Sequence, residues 1–477
     1  MKRGFLNRPK AEPRPTEEAC LARPTGESRP MGEPGDVYTD PQTGRINIHF
    51  PIGKVPKVEL PDKFSTKYVE RDPLSTSAPG AITITTIPNG VPNEPESECI
   101  FFGGSKEVVM AIPNFPRPMR HPKTVAFRMG HAPGKGMGLF STRALRVGNL
   151  ILTERPLLVC ARNIADKAPG HYSPEMMIQY VLDETERTYE IAYNRMSAAD
   201  KEAFMALANC HLEDGSGPLT GRVRTNGLGV SGLRPGVEGD LAYYSAICKH
   251  ISRLNHSCSP NTYPAFDIPS FSFSLYAVRD IAEGEELTFQ YMDVLTSAAE
   301  RQKSLRRYDL VCTCPACTDP AASDPRRAAI RAYTPNTLMW AADSKFSDDF
   351  LINNCLEQLE LLTKEGLEHC YKYFEVTVAL MHAYICLGDA ENASKWAAIV
   401  VKQVWRDDEE DRKNAKALVD PNNVAAYKAH TFWRSRVNPA ADNPIKMVQK
   451  LLAMAGPDNI KTLDNGSSLI MFPGPGM

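Results

Sequence analysis

The sequence predicts an α+β protein in which a β-rich segment with a helical insert precedes an all-helical region. Short apolar runs bounded by Gly and Pro predict strands within 125–159 and 271–291. After residue 318, apolar residues recur at spacings of three and four, which predicts helices. Between these regions, three cysteines fall within the six residues 312–317, a spacing typical of metal ligation.

Length and charge bound the class of protein. The 477 residues are enough for two or three domains, and 55 basic against 57 acidic residues leave a net charge near zero. No global field therefore favours a nucleic acid or a membrane surface, although a local patch is compatible with this balance. The chain lacks both a secretory signal pattern and the ~18-residue apolar run of a membrane span. We expect an intracellular protein, nuclear or cytoplasmic, with no direct nucleic-acid or membrane partner.

Residues 1–122 form a proline-rich leader that we expect to be mostly disordered. This quarter of the chain holds 19 of the 38 prolines. Two strand-like runs, 81–87 and 108–112, predict that the leader adds a strand or two to the domain behind it. A small independent β domain is the alternative.

The β-rich domain is expected to span residues 123–318. Strands are predicted at 125–129 and 271–278, where apolar residues alternate or run together. A helical insert is predicted for 160–240, and Ser197 is a candidate N-cap for its second helix.

Residues 325–455 are predicted to form an antiparallel helical bundle, followed by a flexible tail at 456–477. Leu356, Leu359 and Leu362 mark one apolar helix face. A tetratricopeptide-like arrangement is one form of such a bundle, although no clear 34-residue period is present.

The cysteine cluster predicts a metal site. Cys312, Cys314 and Cys317 can direct three thiolates at one ion, but a structural Zn²⁺ takes four ligands. The fourth ligand must come from another segment, for which the candidates are Cys258, Cys248 and His256. Three incidental loop cysteines are the alternative, which is disfavoured because Pro315 enforces a turn between them.

Four motifs, in this order, resemble the SET-domain protein methyltransferases. They are Gly136-x-Gly138, Asn255-His-Ser-Cys-Ser-Pro-Asn261, Gly284-Glu-Glu-Leu-Thr-Phe-Gln-Tyr291 and Cys312-x-Cys-x-x-Cys317. The resemblance covers about residues 123–318. The long insert and the helical tail are similar to the SET and MYND branch of the family and its fungal relatives.

The resemblance implies a SET β-fold with a post-SET zinc segment at 308–318. It also implies S-adenosylmethionine as cofactor and transfer of a methyl group to lysine side chains of histones or other proteins. In this family pattern Tyr291 is catalytic and orients the amine and the methyl group. The implied cofactor contacts are Lys135, Gly136, Met137, Gly138, Asn226, Asn255, His256, Tyr291 and Leu310. The implied ligands of one structural zinc ion are Cys258, Cys312, Cys314 and Cys317.

The chemistry that this family performs places simple demands on a site. A methyl group on a sulfonium is already electrophilic, so proximity, in-line approach and a neutral amine are what the protein must supply. Free lysine has a pKa near ~10.4, and a narrow apolar channel favours its neutral form by desolvation. Taken alone, Gly136-x-Gly138 is typical of a tight turn, Asn255-His256 of an Asx turn and Tyr291 of a half-buried strand.

One departure from the family pattern and one alternative function remain. A MYND zinc module would lie after Leu157, where the insert offers too few ligands for two metal sites: Cys160, Cys210, His171 and His211.

We expect a protein substrate with an exposed lysine, such as a histone tail. The alternative is a catalytically weak or inactive SET-fold scaffold or reader that acts through contacts of its helical tail. A zinc-dependent nucleic-acid binder is disfavoured, because no basic cluster with interleaved aromatic residues is present.

Overall fold

The computed structural model describes the chain in the ranges 57–60, 81–162, 164–165, 168–234, 237, 242–405 and 409–437. It also describes the backbone of four short strands that pair as two hairpins, β1 (Val37–Thr39) with β2 (Ile46–Ile48) and β15 (Ile460–Thr462) with β16 (Ser468–Ile470). Apart from these parts, the predicted leader and the predicted tail lie outside the described residues.

The remaining strands and the helices follow in chain order. The strands are β3 (Ile82–Ile87), β4 (Ser97–Phe102), β5 (Phe127–Ala132), β6 (Gly136–Ser141), β7 (Leu150–Glu154), β8 (Leu158–Ala161), β9 (Leu228–Val230), β10 (Tyr244–Ile247), β11 (Asn255–His256), β12 (Thr262–Asp267), β13 (Ser272–Ala277) and β14 (Glu286–Phe289). The helices are α1 (Ser105–Met110), α2 (Pro174–Arg195), α3 (Ala198–Met205), α4 (Pro218–Asn226), α5 (Ala298–Leu305), α6 (Pro315–Thr318), α7 (Pro320–Ala332), α8 (Thr337–Ala342), α9 (Phe350–Lys364), α10 (Tyr371–Leu387), α11 (Ala390–Lys402), α12 (Glu409–Leu418) and α13 (Val424–Ala429).

The end of the leader supplies two strands of a five-stranded sheet with the order β3-β4-β8-β10-β9. Strand β4 is buried at all six positions because it lies between β3 and β8, and it pairs in parallel with β8. Its apolar run Cys99-Ile-Phe-Phe102 is suited to this doubly covered position. The sheet therefore extends across the domain boundary that the sequence predicts at residue 122.

Two further sheets hold the predicted site. One has the order β11-β14-β6-β5 and the other the order β12-β13-β7. The two-residue strand β11 runs parallel to β14, with Asn255 opposite Thr288. Asn261 fixes this pairing, because its Oδ1 accepts from the Thr288 amide at 2.8 Å and its Nδ2 donates to the Glu286 carbonyl at 2.8 Å. Two motifs far apart in sequence are thus held side by side.

The predicted helical insert is present. Ser173 caps the N-terminus of helix α2. Pro174 occupies the first turn, where an N–H group would have no hydrogen-bond partner within the helix. The predicted cap Ser197 is confirmed, since its side chain accepts from the Asp200 amide at the start of α3. Helix α2 is joined to the five-stranded sheet by an ion pair between Arg195 Nε and Glu98 Oε2 at 2.9 Å.

The region after residue 319 is helical, as the sequence predicts. Its apolar core is continuous with Met292 and Val294 of the β-rich domain. The predicted leucine face is only partly buried: Leu362 is fully buried, whereas Leu356 is 40 % exposed.

Within the described ranges, no helix is long and apolar enough to cross a membrane.

The Arg327 side chain joins the helical region to the β-rich domain. This fully buried arginine of α7 donates from Nε to Glu365 Oε2 at 2.9 Å. Its Nη1 donates to two carbonyls, Cys258 O at 3.0 Å and Val294 O at 2.6 Å. Its Nη2 donates to Ser259 Oγ at 3.2 Å. One side chain therefore ties three segments together.

Replacing Arg327 by Met should lower the free energy of unfolding by about 3–5 kcal/mol, because the buried Glu365 carboxylate would lose its fully buried guanidinium partner. Although burial acts to raise the pKa of Glu365, hydrogen bonds from Ser323 and Arg326 and the charge of Arg327 lower it overall. The stability that a lowered carboxylate pKa provides is present above the unfolded pKa and is lost as pH falls through the folded pKa. The difference between wild type and Arg327→Met should therefore shrink as pH falls below about 4.3.

Urea titrations at several pH values measure both effects. Arg331→Met on the same helix is the matched control, since Arg331 pairs with Asp293 on the surface and such pairs contribute at most about 1 kcal/mol. Equal losses in the two variants would contradict the role assigned to Arg327.

Candidate functional site

The turn between β5 and β6 has a geometry that requires glycine. Gly134 and Gly136 have φ values of +72° and +75°, which side chains rarely adopt. At Gly138 a Cβ atom would lie 2.8 Å from Nδ2 of Asn255, so the close approach of β6 to the Asn255 side chain excludes a larger residue. A Cβ at Gly136 would meet no atom within 4 Å, so space is open beside this turn.

The Glu286 carboxylate organises the polar groups beside this turn. Its Oε1 accepts from Asn255 Nδ2 at 2.8 Å, and its Oε2 accepts from Lys135 Nζ at 3.0 Å. Asn255 Nδ2 also lies 3.5 Å from the carbonyl of Met137. The Asn255 amide is thereby oriented with its nitrogen towards β6 and β14, which leaves its oxygen as the acceptor facing the other way.

The His256 ring connects the predicted catalytic tyrosine with the cysteine cluster. Its Nδ1 accepts from the main-chain amide of Tyr291 at 3.1 Å. This bond assigns the proton of the neutral imidazole to Nε2, which lies 3.3 Å from Cys258 Sγ and donates to it. The ring is buried, so both neighbours are held in place by a side chain with little freedom.

A hydrogen bond to the main chain and contacts with two neighbouring rings hold the Tyr291 side chain. Its hydroxyl donates to the carbonyl of Leu254 at 2.7 Å. The ring centroid lies 5.3 Å from that of His256 and 5.0 Å, in an edge-to-face arrangement, from that of Tyr308. The sequence reasoning did not identify Tyr308; an aromatic residue two positions before Leu310 is the signal that could have indicated it. The two tyrosines form an aromatic corner at the end of β14.

The four cysteines predicted to bind zinc are brought together. Their Sγ atoms all lie within 4.8 Å of one another, with Cys258 3.5 Å from Cys317 and 3.9 Å from Cys312. Tetrahedral Zn²⁺ with Zn–S bonds of about 2.3 Å separates its sulfur ligands by about 3.8 Å. The spacing therefore suits one such ion. The two alternative ligands, Cys248 and His256, are not part of this four-cysteine cluster.

The electrostatics of the cluster favour thiolates on two of the cysteines. Hydrogen bonds from Cys258 lower the pKa of Cys314 and bring the pKa of Cys317 to about 6. Hydrogen bonding to Cys312 raises the pKa of Cys258. Because the thiolate is the metal-binding form, the arrangement is chemically suited to a soft divalent ion.

Helix α5 supports the cluster. The fully buried Arg301 donates from Nη2 to the carbonyl of Ala316 at 3.0 Å and lies 3.8 Å from Cys317 Sγ. Gln302 Nε2 donates to the carbonyl of Cys312 at 3.0 Å. A guanidinium beside the sulfurs offsets part of their negative charge, and the two bonds fix the loop that carries three of the four cysteines.

Two of the predicted cofactor contacts, Asn226 and Leu310, lie at the end of α4 and in the segment after α5. Both amide hydrogens of Asn226 serve the fold, since Nδ2 donates to Ala208 O at 2.7 Å and to Arg222 O at 2.8 Å. The main-chain carbonyl of Asn226 accepts a hydrogen bond at 3.0 Å from Ser252 Oγ, three residues before Asn255. Leu310 is partly buried in the apolar cluster that includes the cysteines and the aromatic corner.

The insert shows no MYND-like metal site in the part that the structure describes. Among the described residues, the only grouping of His, Cys, Asp and Glu atoms close enough to hold an ion is the four-cysteine cluster. Cys160 instead donates to the carbonyl of Ser245 within the sheet, and Cys210 to the carbonyl of Arg307.

Comparison with known proteins identifies the domain. The family model described as "SET domain" matches residues 136–292. Histone-lysine N-methyltransferase set5 of Schizosaccharomyces pombe is 28 % identical over 193 residues, which is 40 % of this chain and 50 % of that protein. Histone-lysine N-methyltransferase SMYD3 of Homo sapiens is 51 % identical over 65 residues, 13 % of this chain and 15 % of that protein. N-lysine methyltransferase SMYD2-B of Danio rerio is 39 % identical over 70 residues, 14 % of this chain and 16 % of that protein.

These matches span half or less of the length of the curated relatives. The family match from Gly136 to Met292 includes Asn255, His256 and Tyr291, and it ends before the loop that carries Leu310 and three of the four cysteines. The chain therefore has a SET domain, homologous to those of the Set5, SMYD3 and SMYD2 lysine methyltransferases.

Proposed function

We propose that this chain is an S-adenosylmethionine-dependent protein-lysine N-methyltransferase. The observation that carries the proposal is the juxtaposition of Tyr291 with the Asn255-His256 strand, which lies beside the glycine turn. The relatives named above are lysine methyltransferases by name, and the SET family model covers the residues of this juxtaposition. The proposal applies that activity to this chain.

The residues around the glycine turn suit the cofactor. S-adenosylmethionine, when bound, supplies an electrophilic methyl group on a positively charged sulfur. The open space at Gly136 gives a ligand access to the main chain of Lys135–Gly138, and the oriented Asn255 amide offers an acceptor for an ammonium group. Leu310 would add an apolar contact, and Asn226 a main-chain one.

The aromatic corner suits the reacting amine. Walls formed by Tyr291 and Tyr308 exclude water from a lysine side chain, which favours the neutral amine over the ammonium ion. The Tyr291 hydroxyl donates its hydrogen to Leu254 O, so its oxygen would act towards the amine as an acceptor. That contact would fix the direction of the nitrogen lone pair, and orientation is the main contribution required for an in-line transfer.

We also propose that the four cysteines hold one structural Zn²⁺, which makes residues 308–318 a post-SET zinc segment. The ion would join Cys258, next to the cofactor strand, to the loop that carries Leu310 and Tyr308.

The substrate we propose is a protein with an exposed lysine, such as a histone tail, which this chain would encounter in the nucleus or the cytoplasm. The tetratricopeptide-like character of the helical region 325–455 stays a prediction.

Tyr291→Phe should lower kcat by on the order of 100-fold, because the amine would lose the group that orients it, while cofactor affinity stays unchanged. Transfer of labelled methyl from S-adenosylmethionine to histones or a cell lysate measures the first effect, and calorimetric titration the second. Tyr193→Phe, a tyrosine of the insert that packs on Phe204, is the matched control. If wild type binds the cofactor but methylates no protein, the scaffold or reader function would replace the enzymatic one.

Metal content tests the zinc proposal. Wild-type protein purified without chelators should contain one zinc per chain by mass spectrometry, and Cys314→Ser should contain none, because removing a thiolate leaves three ligands. Cys210→Ser, outside the cluster, should keep its zinc. Metal-free wild type would refute the assignment.

Zinc removal should also weaken cofactor binding. Cys258 lies three residues after Asn255, and its sulfur accepts from the His256 ring that holds the Tyr291 amide. A chelator should therefore reduce S-adenosylmethionine affinity, and re-addition of zinc should restore it. Unchanged affinity in metal-free protein would show that cluster and cofactor strand are independent.

A further inference from the structure

The loop between α9 and α10, residues 365–370, packs against the segment that follows the Asn255-His256 strand. Ser259 Oγ donates to the carbonyl of Glu365 at 2.5 Å. Gly366 has a φ value of +64°, and a Cβ atom there would lie 3.0 Å from the Ser259 side chain. The close approach of the loop to Ser259 therefore favours glycine at this position.

His369 is the residue of this loop that contacts the end of β14. Its Nε2 lies 2.5 Å from Oε1 of Gln290, the residue directly before Tyr291. The exposed fraction of the side chain is 0 % for His369 and 3 % for Gln290. Because an amide oxygen only accepts, the neutral imidazole donates from Nε2. In a buried pair of this kind, the loss of either partner is costly, since water does not take its place.

This bond lies next to the main chain that leads into Tyr291. Strand β14 ends at Phe289, so Gln290 and Tyr291 lie beyond its regular pairing with β11 and β6. The main-chain amide of Tyr291 donates to His256 Nδ1 at 3.1 Å, and one residue earlier the Gln290 side chain accepts from His369. The approach to Tyr291 is thus held from the cofactor strand on one residue and from the helical region on the next.

We infer that His369 is a positioning residue for Tyr291 that acts through the Gln290 amide, an inference that rests on the proposed methyl transfer. An in-line transfer depends on the direction in which the tyrosine holds the amine, and a displacement of about 1 Å can cost on the order of 100-fold in rate. The helical region is then part of the catalytic unit, in addition to any contact that it makes with a partner.

Methyl-transfer kinetics of three variants test this role. His369→Phe should lower kcat on the order of tenfold, because the buried Gln290 amide would lose its donor. His369→Gln, whose amide can place an N–H group near the position of Nε2, should restore most of the rate. Cofactor affinity by calorimetry and zinc content should match wild type in both. The matched control is His382→Phe on α10, which removes a histidine that contacts His430 and Phe432 and should leave kcat unchanged.

A double-mutant cycle separates positioning from a general loss of stability. If His369 acts through Gln290, His369→Phe combined with Gln290→Met should cost no more in kcat than the more damaging of the two single substitutions. Additive losses would overturn the inference. So would equal losses of kcat in His369→Phe and His369→Gln, or in His369→Phe and His382→Phe.

Hydrogen exchange at the main-chain amides of residues 289–292, followed by mass spectrometry, needs neither cofactor nor substrate. His369→Phe should accelerate exchange in this segment, and His382→Phe should not. Unchanged exchange in His369→Phe would contradict the positioning role. If wild-type protein transferred no methyl group, the proposed function would fail, whereas the exchange result would still decide whether His369 fixes the main chain at Tyr291.

Discussion

The ion pair between Arg327 and Glu365 is the interaction on which the arrangement of the site depends. Burying two charges is costly unless every donor and acceptor is satisfied, and here Glu365 also accepts from Ser323 and Arg326. The guanidinium uses its remaining donors on carbonyls at Cys258 and Val294. These two carbonyls follow His256 and Tyr291 in the chain, so the helical region holds both segments that carry the candidate catalytic groups.

The inner layer of the site is a chain of short polar contacts. Glu286 orients Asn255, and the small Gly138 lets β6 approach it. His256 then links the Tyr291 amide to Cys258. The His256 ring is buried, and the hydrogen bonds at its two nitrogens satisfy groups that would otherwise be costly to bury. The cysteine cluster is therefore an extension of the same network.

The sequence predicted what depends on local spacing. The SET motifs, the Ser197 cap, the helical region and the gathering of four cysteines were all recognisable from residues close together in the chain or from a family pattern. Tyr308 and Arg327 were not, because the contacts that give them their roles join distant segments. Glu365, for example, is 38 residues from Arg327. Asn226 was predicted from a loose family pattern, and its side chain is occupied by main-chain carbonyls that no pattern reveals.

The parallel pairing of β4 with β8 has a consequence for where this domain can be cut. β4 occupies one whole side of β8, and β3 lies beyond it. A chain that began at residue 123, the boundary suggested by composition, would leave the apolar strand β8 with an open hydrogen-bonding edge. Such edges pair with other chains, so that fragment would aggregate through the sheet that carries no part of the site. The proline-rich stretch thus includes the strand that covers this edge of the folded domain.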